Sequence, residues 1–412
     1  RAVLQVAVSR VIAHVRAVDG SDDAGVFERF PVLGDYAAAD VPGASELPGA
    51  WHNASGARLP LHELDEGTGL GFEAQVAMVL AGCVEEDLRL GSLFAELQAA
   101  PAARRPCIGL LEALTDCDST PLRSTVSQLM ELGWLVGDAG DAPRAERIVR
   151  LPPGVWDVLQ GALPVLDGVR ILSHRDALPL RAMILDAVEM REARQVPRLL
   201  STGRARAFVV RGPEGAGRRT LVRGIARALR VDTAPVEWNA DGTEPAVWRA
   251  IGPACQLARI IPVALLGRGA PGQSVSVAPP PAFHGFVAVV AGRTGGVRGD
   301  AVSRAVHLDL SAPGPRARAM LWRRALPGAS AGDCRTLGER FRLTAGNIGR
   351  VAALARARGL PEPDRRVDSE DVRHALRAVN RHAFESLAQY VPAGGSWDDL
   401  CVPATTRSDL LD

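Results

Sequence analysis

The chain contains no lysine, so all 48 of its lysine-plus-arginine positions are arginine. With 47 acidic residues the formal net charge is +1, and this balance argues against a dedicated binder of nucleic acid or another polyanion. Arginine does not simply replace lysine in a site, because its planar fork does not fit a pocket made for a compact ammonium group. Chemistry that depends on a lysine must therefore be altered or absent within these 412 residues.

Ligand-forming and membrane-spanning patterns are also missing. The 6 cysteines lie far apart with no CxxC pair, and the 8 histidines show no paired-ligand spacing, which argues against a disulfide framework or a zinc site. No apolar run approaches the roughly 20 residues that a membrane helix needs. Residues 1–18 lack the cleavage-site pattern of a signal peptide. These absences predict a cytoplasmic protein with no membrane span.

A phosphate-loop frame without its lysine follows the apolar run Ala207–Val210 and precedes a helix-like segment, 221–229. In a working loop, glycines let backbone N–H groups surround phosphate oxygens, a lysine contacts the β and γ phosphates, and the next hydroxyl binds magnesium. Here one arginine occupies the lysine position, a second occupies the hydroxyl position, and a threonine follows one place late. The candidate nucleotide-binding residues of this loop are Gly212, Gly215, Gly217, Arg218, Arg219 and Thr220.

The residues of the loop leave two uses open. Its glycines suffice to make a tight strand-to-helix turn that holds no ligand. Alternatively, backbone donors, the helix dipole and the charge of the two arginines bind ATP, ADP or phosphate weakly.

A catalytic site of this kind needs a second strand that ends in adjacent acids, one to hold magnesium and one to activate water. That strand is expected at Ile260–Leu266, and Gly-Arg-Gly follows it. No Asp or Glu occurs between Glu244 and Asp300, so no small shift of alignment supplies a carboxylate. We therefore expect no magnesium site, no catalytic residue and no ATP hydrolysis in this part of the chain.

Two further positions have alternative interpretations. The strand Phe286–Ala291 takes the place of a polar sensor between the two strands described above, or it is a buried core strand, which its apolar sequence favours. Arg350 lies near the start of a later helix, in Leu343-Thr-Ala-Gly-Asn-Ile-Gly-Arg. It either contacts a bound phosphate or is a solvated helix residue.

Hydrophobic periodicity predicts an α/β protein with several parts. Helices after residue 72, followed by two short strands around a Gly/Asp turn, are typical of a winged-helix domain. Seven arginines against thirteen acids between residues 72 and 160 favour protein docking or scaffolding over DNA binding there. Strands that alternate with helices then predict a mostly parallel sheet covered on both faces. The predicted parts are an N-terminal helix and irregular arm (1–71), the winged-helix-like domain (72–165), a connecting helix (166–200), the sheet domain (201–312), a helical lid (313–390) and a linker (391–412).

A parallel sheet, a phosphate loop after its first strand and a helical lid together resemble an AAA+ ATPase module. The chain resembles in particular the first, degenerate module of Cdc48-like two-module AAA+ ATPases and, more narrowly, the AAA+ ATPase of bacterial contractile injection systems. In such proteins arginine in the lysine position is common in the degenerate module. The stretches that carry the likeness are 211–229, 306–322, 341–355 and 387–403, the last of which is similar to the linker that opens a second module.

The resemblance implies the regulatory and scaffolding half of a hexameric ring that works with a contractile injection particle and binds no nucleic acid. Because the chain begins with arginine and stops soon after the linker begins, we expect a longer product whose competent second module follows Asp412. ATP or ADP is then bound weakly in this half or not at all. The alternative from another class is a winged-helix transcription or signalling regulator with a nucleotide-sensing switch domain.

Overall fold

The computed structural model describes residues 2–37, 64, 71–115, 124–138, 140–267, 269, 272–359 and 369–384. The chain divides into two compact units, residues 1–311 and 312–412. Most of the predicted irregular arm and all of the predicted linker lie outside the described residues. The predicted boundaries between parts of the chain stay predictions. Among the described residues, no helix combines the length and the apolarity that crossing a bilayer requires.

The first third of the chain is helical and ends in a small hairpin. The periodic apolar residues of the predicted N-terminal helix form its buried face, and the predicted helices after residue 72 are also present. Strands β1 and β2 pair antiparallel, with Val136 opposite Arg150. The winged-helix assignment of this segment stays a prediction. The elements are α1 (Ala2–Asp19), α2 (Asp23–Arg29), α3 (Pro31–Ala37), α4 (Gly71–Gly82), α5 (Leu88–Leu97), α6 (Ile108–Thr115), α7 (Thr125–Glu131), β1 (Val136–Gly137), β2 (Val149–Arg150) and α8 (Val155–Leu159).

Helices α2 and α3 form where the sequence predicted an irregular arm. Asp22 caps α2, because its side chain accepts a hydrogen bond from the Gly25 N–H at 3.0 Å. Val26 and Leu33 are buried and anchor the two helices in the core. Each helix has only 7 residues, so hydrophobic periodicity is too short to be recognised against the surrounding Gly and Asp.

The second part of this unit is a five-stranded parallel sheet in the order β4-β5-β7-β3-β9. A separate pair, β6 and β8, is also parallel. The mostly parallel sheet predicted from the alternating pattern is confirmed. The elements are α9 (Ala187–Ser201), β3 (Ala207–Arg211), α10 (Arg218–Leu229), β4 (Thr233–Glu237), α11 (Ala246–Ala250), α12 (Gly252–Ala258), β5 (Ile261–Leu265), β6 (Ser274–Ser276), β7 (Val287–Ala291), β8 (Gly296–Arg298) and β9 (Ala305–Asp309).

Both faces of the sheet are buried, as predicted. Alternate residues of β3 belong to different hydrophobic clusters: Val209 belongs to the cluster that includes the amino-terminal helices and α12, and Phe208 belongs to the cluster that includes α9 and α10. This alternation follows from the period of two residues in a strand. The amino-terminal helices therefore share one core with the sheet.

Capping and proline set the extents of two helical segments in this unit. The predicted connecting helix, 166–200, begins only at Ala187, because Asp186 and Glu189 form a capping box that fixes its start. The helical segment after β4 is divided at Ile251 into α11 and α12. Pro253 in the first turn of α12 cannot continue the α11 hydrogen-bond ladder, which accounts for the division.

The second unit has four described helices around its own core. Trp322, Val351 and Val372 are fully buried there. Arg318 is also buried, and its guanidinium donates to the carbonyl oxygens of Gly338 and Pro313, both at 2.7 Å. The elements are α13 (Pro315–Ala325), α14 (Ala331–Arg340), α15 (Ala345–Gly359) and α16 (Ser369–Phe384).

Candidate functional site

The predicted phosphate-loop frame connects β3 directly to α10. Gly212 has φ +150°, and a Cβ atom there would lie 2.7 Å from the Leu310 carbonyl oxygen at the end of β9. Gly215 and Gly217 have φ values of +74° and +93°, which other residues adopt only with strain. The three glycines predicted as site residues are thus needed for the path of this loop.

The loop ends at a helix N-terminus that no side chain caps. Gly217 occupies the cap position in a left-handed conformation, and α10 begins at Arg218. The first intrahelical bond of this turn runs from the Leu221 N–H to the Gly217 oxygen at 2.8 Å. Backbone N–H groups before it point out of the helix end, so the loop keeps the donors that favour an anion.

Arg218, in the lysine position, contacts the end of a neighbouring strand. Its Nη1 donates to the carbonyl oxygen of Ala291, the last residue of β7, at 2.5 Å. Arg211 donates in the same way to the Gly295 oxygen at 2.8 Å. Two arginines that flank the loop therefore hold the carboxyl end of β7 and the segment after it.

Arg219 and Thr220 do not share this arrangement. The Nη2 atom of Arg219 lies 2.7 Å from Glu237 Oε1 at the end of β4, in a pair whose side chains are 65% and 68% exposed. Thr220 is exposed on the first turn of α10. An ion pair this exposed contributes little to stability.

Replacing Arg218 by alanine is expected to lower the free energy of unfolding by about 1–2 kcal/mol, because a charged donor to a partly buried carbonyl is lost. Arg219→Ala is the matched control, with an expected change within about 0.5 kcal/mol. Urea denaturation followed by tryptophan fluorescence measures both. Equal effects of the two substitutions would contradict a structural role for the Arg218 contact.

Strand β7 lies between β3 and β5, as predicted for the sensor strand. All five of its residues are buried, and so are all five of β5. After β7, Arg293 is exposed, and the Thr294 hydroxyl donates to the Gly269 oxygen at 2.7 Å. Of the two interpretations of β7, its burial supports a core strand.

No carboxylate directly follows strand β5. Strand β5 ends in Leu265 and is followed by Leu266 and Gly267, which supply no carboxylate. Among the described residues, no three His, Cys, Asp or Glu side chains are grouped as metal ligands would be. The expected absence of magnesium stays a prediction.

Arg350 lies in α15 of the second unit, where it is exposed. Its Nη2 donates to the Asn347 Oδ1 atom one turn earlier, at 2.5 Å. Contact between Arg350 and a bound phosphate stays a prediction.

The buried cysteines of the first unit are unsuited to nucleophilic chemistry. Burial raises the pKa of the Cys83 thiol to about 12, and it does the same for Cys255. A thiol is nucleophilic as the thiolate, so both residues are inert packing groups at neutral pH.

Sequence reasoning missed a cleft of about 360 Å³ at the carboxyl ends of β4, β5 and β7. Such ends are where open α/β sheets bind ligands. The available signal was the clustering of glycines after β5 and β7, since Gly269 and Gly295 approach so closely that a Cβ on Gly295 would lie 2.9 Å from the Gly269 Cα. The wall of the cleft includes Trp238, Asp241, Leu266, Val275, Thr294 and Arg298.

Asp241, which lines this cleft, already has hydrogen-bond donors within its own turn. Asp241 accepts hydrogen bonds from the Thr243 N–H at 2.8 Å and from the Thr243 hydroxyl at 2.7 Å. These bonds lower the pKa of Asp241 from its usual range. The carboxylate therefore shapes the turn after β4.

No protein-family model matches the chain, and no curated protein matches its sequence. Solved structures similar to it include one from a study of katanin self-assembly, at 14% identity over 50% of this chain and 87% of that chain, with a TM-score of 0.36. A mutant of RuvB from Thermotoga maritima is similar at 14% identity over 49% and 73%, with a TM-score of 0.35. The AAA domain of FIGL-1 in complex with ADP is similar at 12% identity over 52% and 92%, with a TM-score of 0.36. The sheet order, the glycine loop and the helical second unit describe a P-loop α/β domain with associated helices.

Proposed function

We propose that this chain is the regulatory and scaffolding half of an AAA+ ATPase, with a degenerate module that builds a ring and does not hydrolyse ATP. The observation that carries the proposal is the combination of a glycine loop in left-handed or strained conformations with a buried, acid-free β5. The loop keeps its three left-handed or strained glycines, while the strand that should hold magnesium and activate water ends in Leu265.

The arrangement of strands supports the AAA+ part of the proposal. The loop follows β3, strand β7 lies beside β3, and β5 lies beyond β7. This order places a sensor strand between the strand that leads into the phosphate loop and the strand expected to carry the acids. A phosphate group at the N-terminus of α10 would meet backbone N–H donors and the positive end of the helix dipole.

The positions of the arginines support weak nucleotide binding. Arg218 is bonded to the Ala291 carbonyl, and Arg219 is paired with Glu237. Recruiting either guanidinium to a phosphate costs an existing contact. ATP or ADP would therefore be held mainly by the backbone of the loop, without magnesium.

The wider assignment rests on the sequence resemblance. We place this half in a hexameric ring of a contractile injection system, with a competent second module after residue 412 as the source of force. The amino-terminal helices, rich in acids between residues 72 and 160, would recruit particle components by protein contacts. The transcription-regulator alternative predicts tight, salt-sensitive DNA binding, which the acid excess disfavours.

Measuring ATP hydrolysis by the purified 412-residue chain tests the catalytic part of the proposal. We expect no phosphate release above the buffer rate, because no carboxylate follows β5 to orient the attacking water. Calorimetric titration with ADP is expected to give millimolar or weaker affinity, about −4 kcal/mol. Magnesium-dependent turnover would contradict the proposal, and turnover of contaminants is excluded by repeating the assay with Gly212→Ala.

Mass photometry with and without nucleotide tests the ring. We expect particles larger than the monomer. A monomer under every condition would contradict the assembly role.

A further inference from the structure

The connection between the two compact units passes through Ser311 and Ala312. Ser311 is the last residue of the first unit, and Ala312 opens the second. Within the part of the chain that the structure describes, Ala312 is exposed and forms no hydrogen bond, whereas the residues on either side of it are bonded. The two sides of Ala312 are therefore held by different units.

On the first-unit side, one carboxylate holds Ser311. The Oε1 atom of Glu189 accepts from the Ser311 N–H and from the Ser311 hydroxyl, both at 2.8 Å. The other oxygen, Oε2, accepts from the Asp186 N–H at 3.1 Å, so Glu189 also takes part in the capping box of α9. One side chain thus joins the start of α9 to a residue 122 positions later. We call the contact with Ser311 the Glu189 clamp.

Leu310, directly before Ser311, is held as well. Its N–H donates to the Arg211 oxygen at 2.8 Å, which continues the pairing of β9 with β3 by one residue. Its carbonyl oxygen faces the glycine loop, where a Cβ on Gly212 would lie 2.7 Å from it. The chain is therefore fixed to the sheet, to the loop and to α9 as far as Ser311.

On the second-unit side, the buried Arg318 holds Pro313. Its Nη1 donates to the Pro313 oxygen and its Nε donates to the Gly338 oxygen, both at 2.7 Å. The ring of Pro313 fixes its own φ. The Arg318 N–H donates to the Gly314 oxygen at 2.9 Å in the first turn of α13. From Pro313 onward the chain is therefore part of the helical unit.

The residue between the two anchors has a restricted conformation of its own. Ala312 directly precedes Pro313. A proline ring disfavours helical torsions in the residue before it, because the ring crowds the backbone and Cβ of that residue. Ala312 is thus left with extended conformations, so the connection between the anchors is both short and stiff.

We propose that the connection is a hinge confined to Ala312 and that the Glu189 clamp sets its length. Releasing the clamp frees Ser311, which does not precede a proline, so the hinge lengthens by one residue and gains the helical torsions that Ala312 lacks. The carboxylate of Glu189 thus controls how freely the two units reorient. This inference goes beyond the proposed function, because it concerns the connection of the units whether or not the chain assembles or binds nucleotide.

Residue-resolved amide hydrogen exchange on the full chain tests the clamp. In the wild type, Leu310 and Ser311 are expected to exchange slowly and Ala312 rapidly, because only the first two amides are bonded. Glu189→Ala is expected to speed exchange at Ser311 about tenfold or more, since a hydrogen bond to a charged acceptor is one of the stronger kinds. The rate at Leu310 stays the same, because its bond to Arg211 remains.

Asp186→Ala is the matched control, because it removes the other half of the capping box. The Asp186 carboxylate accepts from the N–H groups of Val188 and Glu189 at 2.9 and 2.8 Å, within the first turn of α9. This variant is expected to leave exchange at Ser311 unchanged. Ser311→Ala removes only the hydroxyl donor, so it raises the rate at position 311 by a smaller factor. It also tests the clamp without touching α9, and circular dichroism checks that each variant is folded.

Pulsed electron resonance measures the hinge itself. Spin labels introduced as non-natural residues in place of the exposed Arg204 and Arg335 put one label on each unit. Excess unlabelled chain ensures that each measured distance joins two labels of the same molecule. The distance distribution is expected to broaden in Glu189→Ala and to keep its wild-type width in Asp186→Ala.

The outcomes separate the clamp, the hinge and the proposed function. Exchange at Ser311 that Glu189→Ala does not change, or that Asp186→Ala raises equally, overturns the clamp. Faster exchange at Ser311 without a broader distance distribution overturns the hinge, and so does slow exchange at Ala312 in the wild type. ATP hydrolysis or a monomeric wild type overturns the proposed function and leaves this inference standing, because neither readout depends on them.

Discussion

Gly212→Ala is expected to lower the free energy of unfolding of the first unit by about 2–3 kcal/mol. The new Cβ would lie 2.7 Å from the Leu310 oxygen and 3.0 Å from the Leu310 Cβ, and the φ of +150° is itself unfavourable for alanine. Relief requires β9 to move away from the loop, and β9 is hydrogen-bonded to β3 in full register. Guanidinium denaturation followed by circular dichroism measures the change.

Two other glycines separate collision from backbone strain. Gly267→Ala meets nothing within 4 Å and has no left-handed φ, so its expected effect is within about 0.5 kcal/mol. Gly217→Ala also has open space, but its φ of +93° predicts a cost of about 1 kcal/mol from strain alone. If Gly212→Ala behaved like Gly267→Ala, the close approach of Leu310 would not constrain the loop.

The loop and its strand could be predicted because their signals are local. The GxxxxG spacing requires only neighbouring residues, and Ala207–Val210 is a short apolar run that ends at a glycine. The position of β7 between β3 and β5 was also predicted, but through resemblance to a known strand order. The absence of an acid after β5 needed no structure at all.

The contacts made by the loop could not be predicted, because they join residues distant in sequence. Arg218 donates to Ala291, 73 positions later, and nothing in the local sequence distinguishes this from contact with a phosphate. The cleft has the same origin, since β6 and β8 come together only when the segments after β5 and β7 are folded. Helix α2 is anchored by Val26, which is buried in the core. Local hydrophobic periodicity does not reveal this contact, because it reports only on neighbouring residues.

These contacts change how the arginine in the lysine position of the loop is interpreted. A lysine that binds phosphate must be free to approach it, but the Arg218 guanidinium is bonded to the strand beside the loop. The loop therefore has a structural link in the place where a catalytic cation would act. This contact is consistent with the proposed role in assembly.

Gly252→Ala is expected to have the largest effect on stability, a loss of about 3–4 kcal/mol. A Cβ at this position would lie 1.8 Å from the Pro281 oxygen and 3.0 Å from its carbonyl carbon, which no rotamer change can relieve. Gly133, which follows α7, also approaches Pro281, with a Cβ position 3.1 Å from the Pro281 Cβ. Displacing Pro281 therefore disturbs the sheet and the amino-terminal helices together, so both should unfold in one transition at a lower denaturant concentration.

Gly349→Ala is the matched control, because it is also a helical glycine but meets nothing within 4 Å. Alanine favours a helix over glycine, so this variant is expected to be stabilised by about 0.5–1 kcal/mol. The two substitutions thus differ in sign although the chemical change is the same. Amide hydrogen exchange measured at increasing urea concentration reports separately on Trp134 of the amino-terminal part and Trp248 of the sheet. Separate loss of protection in these two regions would show that they do not share the single core that Gly252 and Pro281 join.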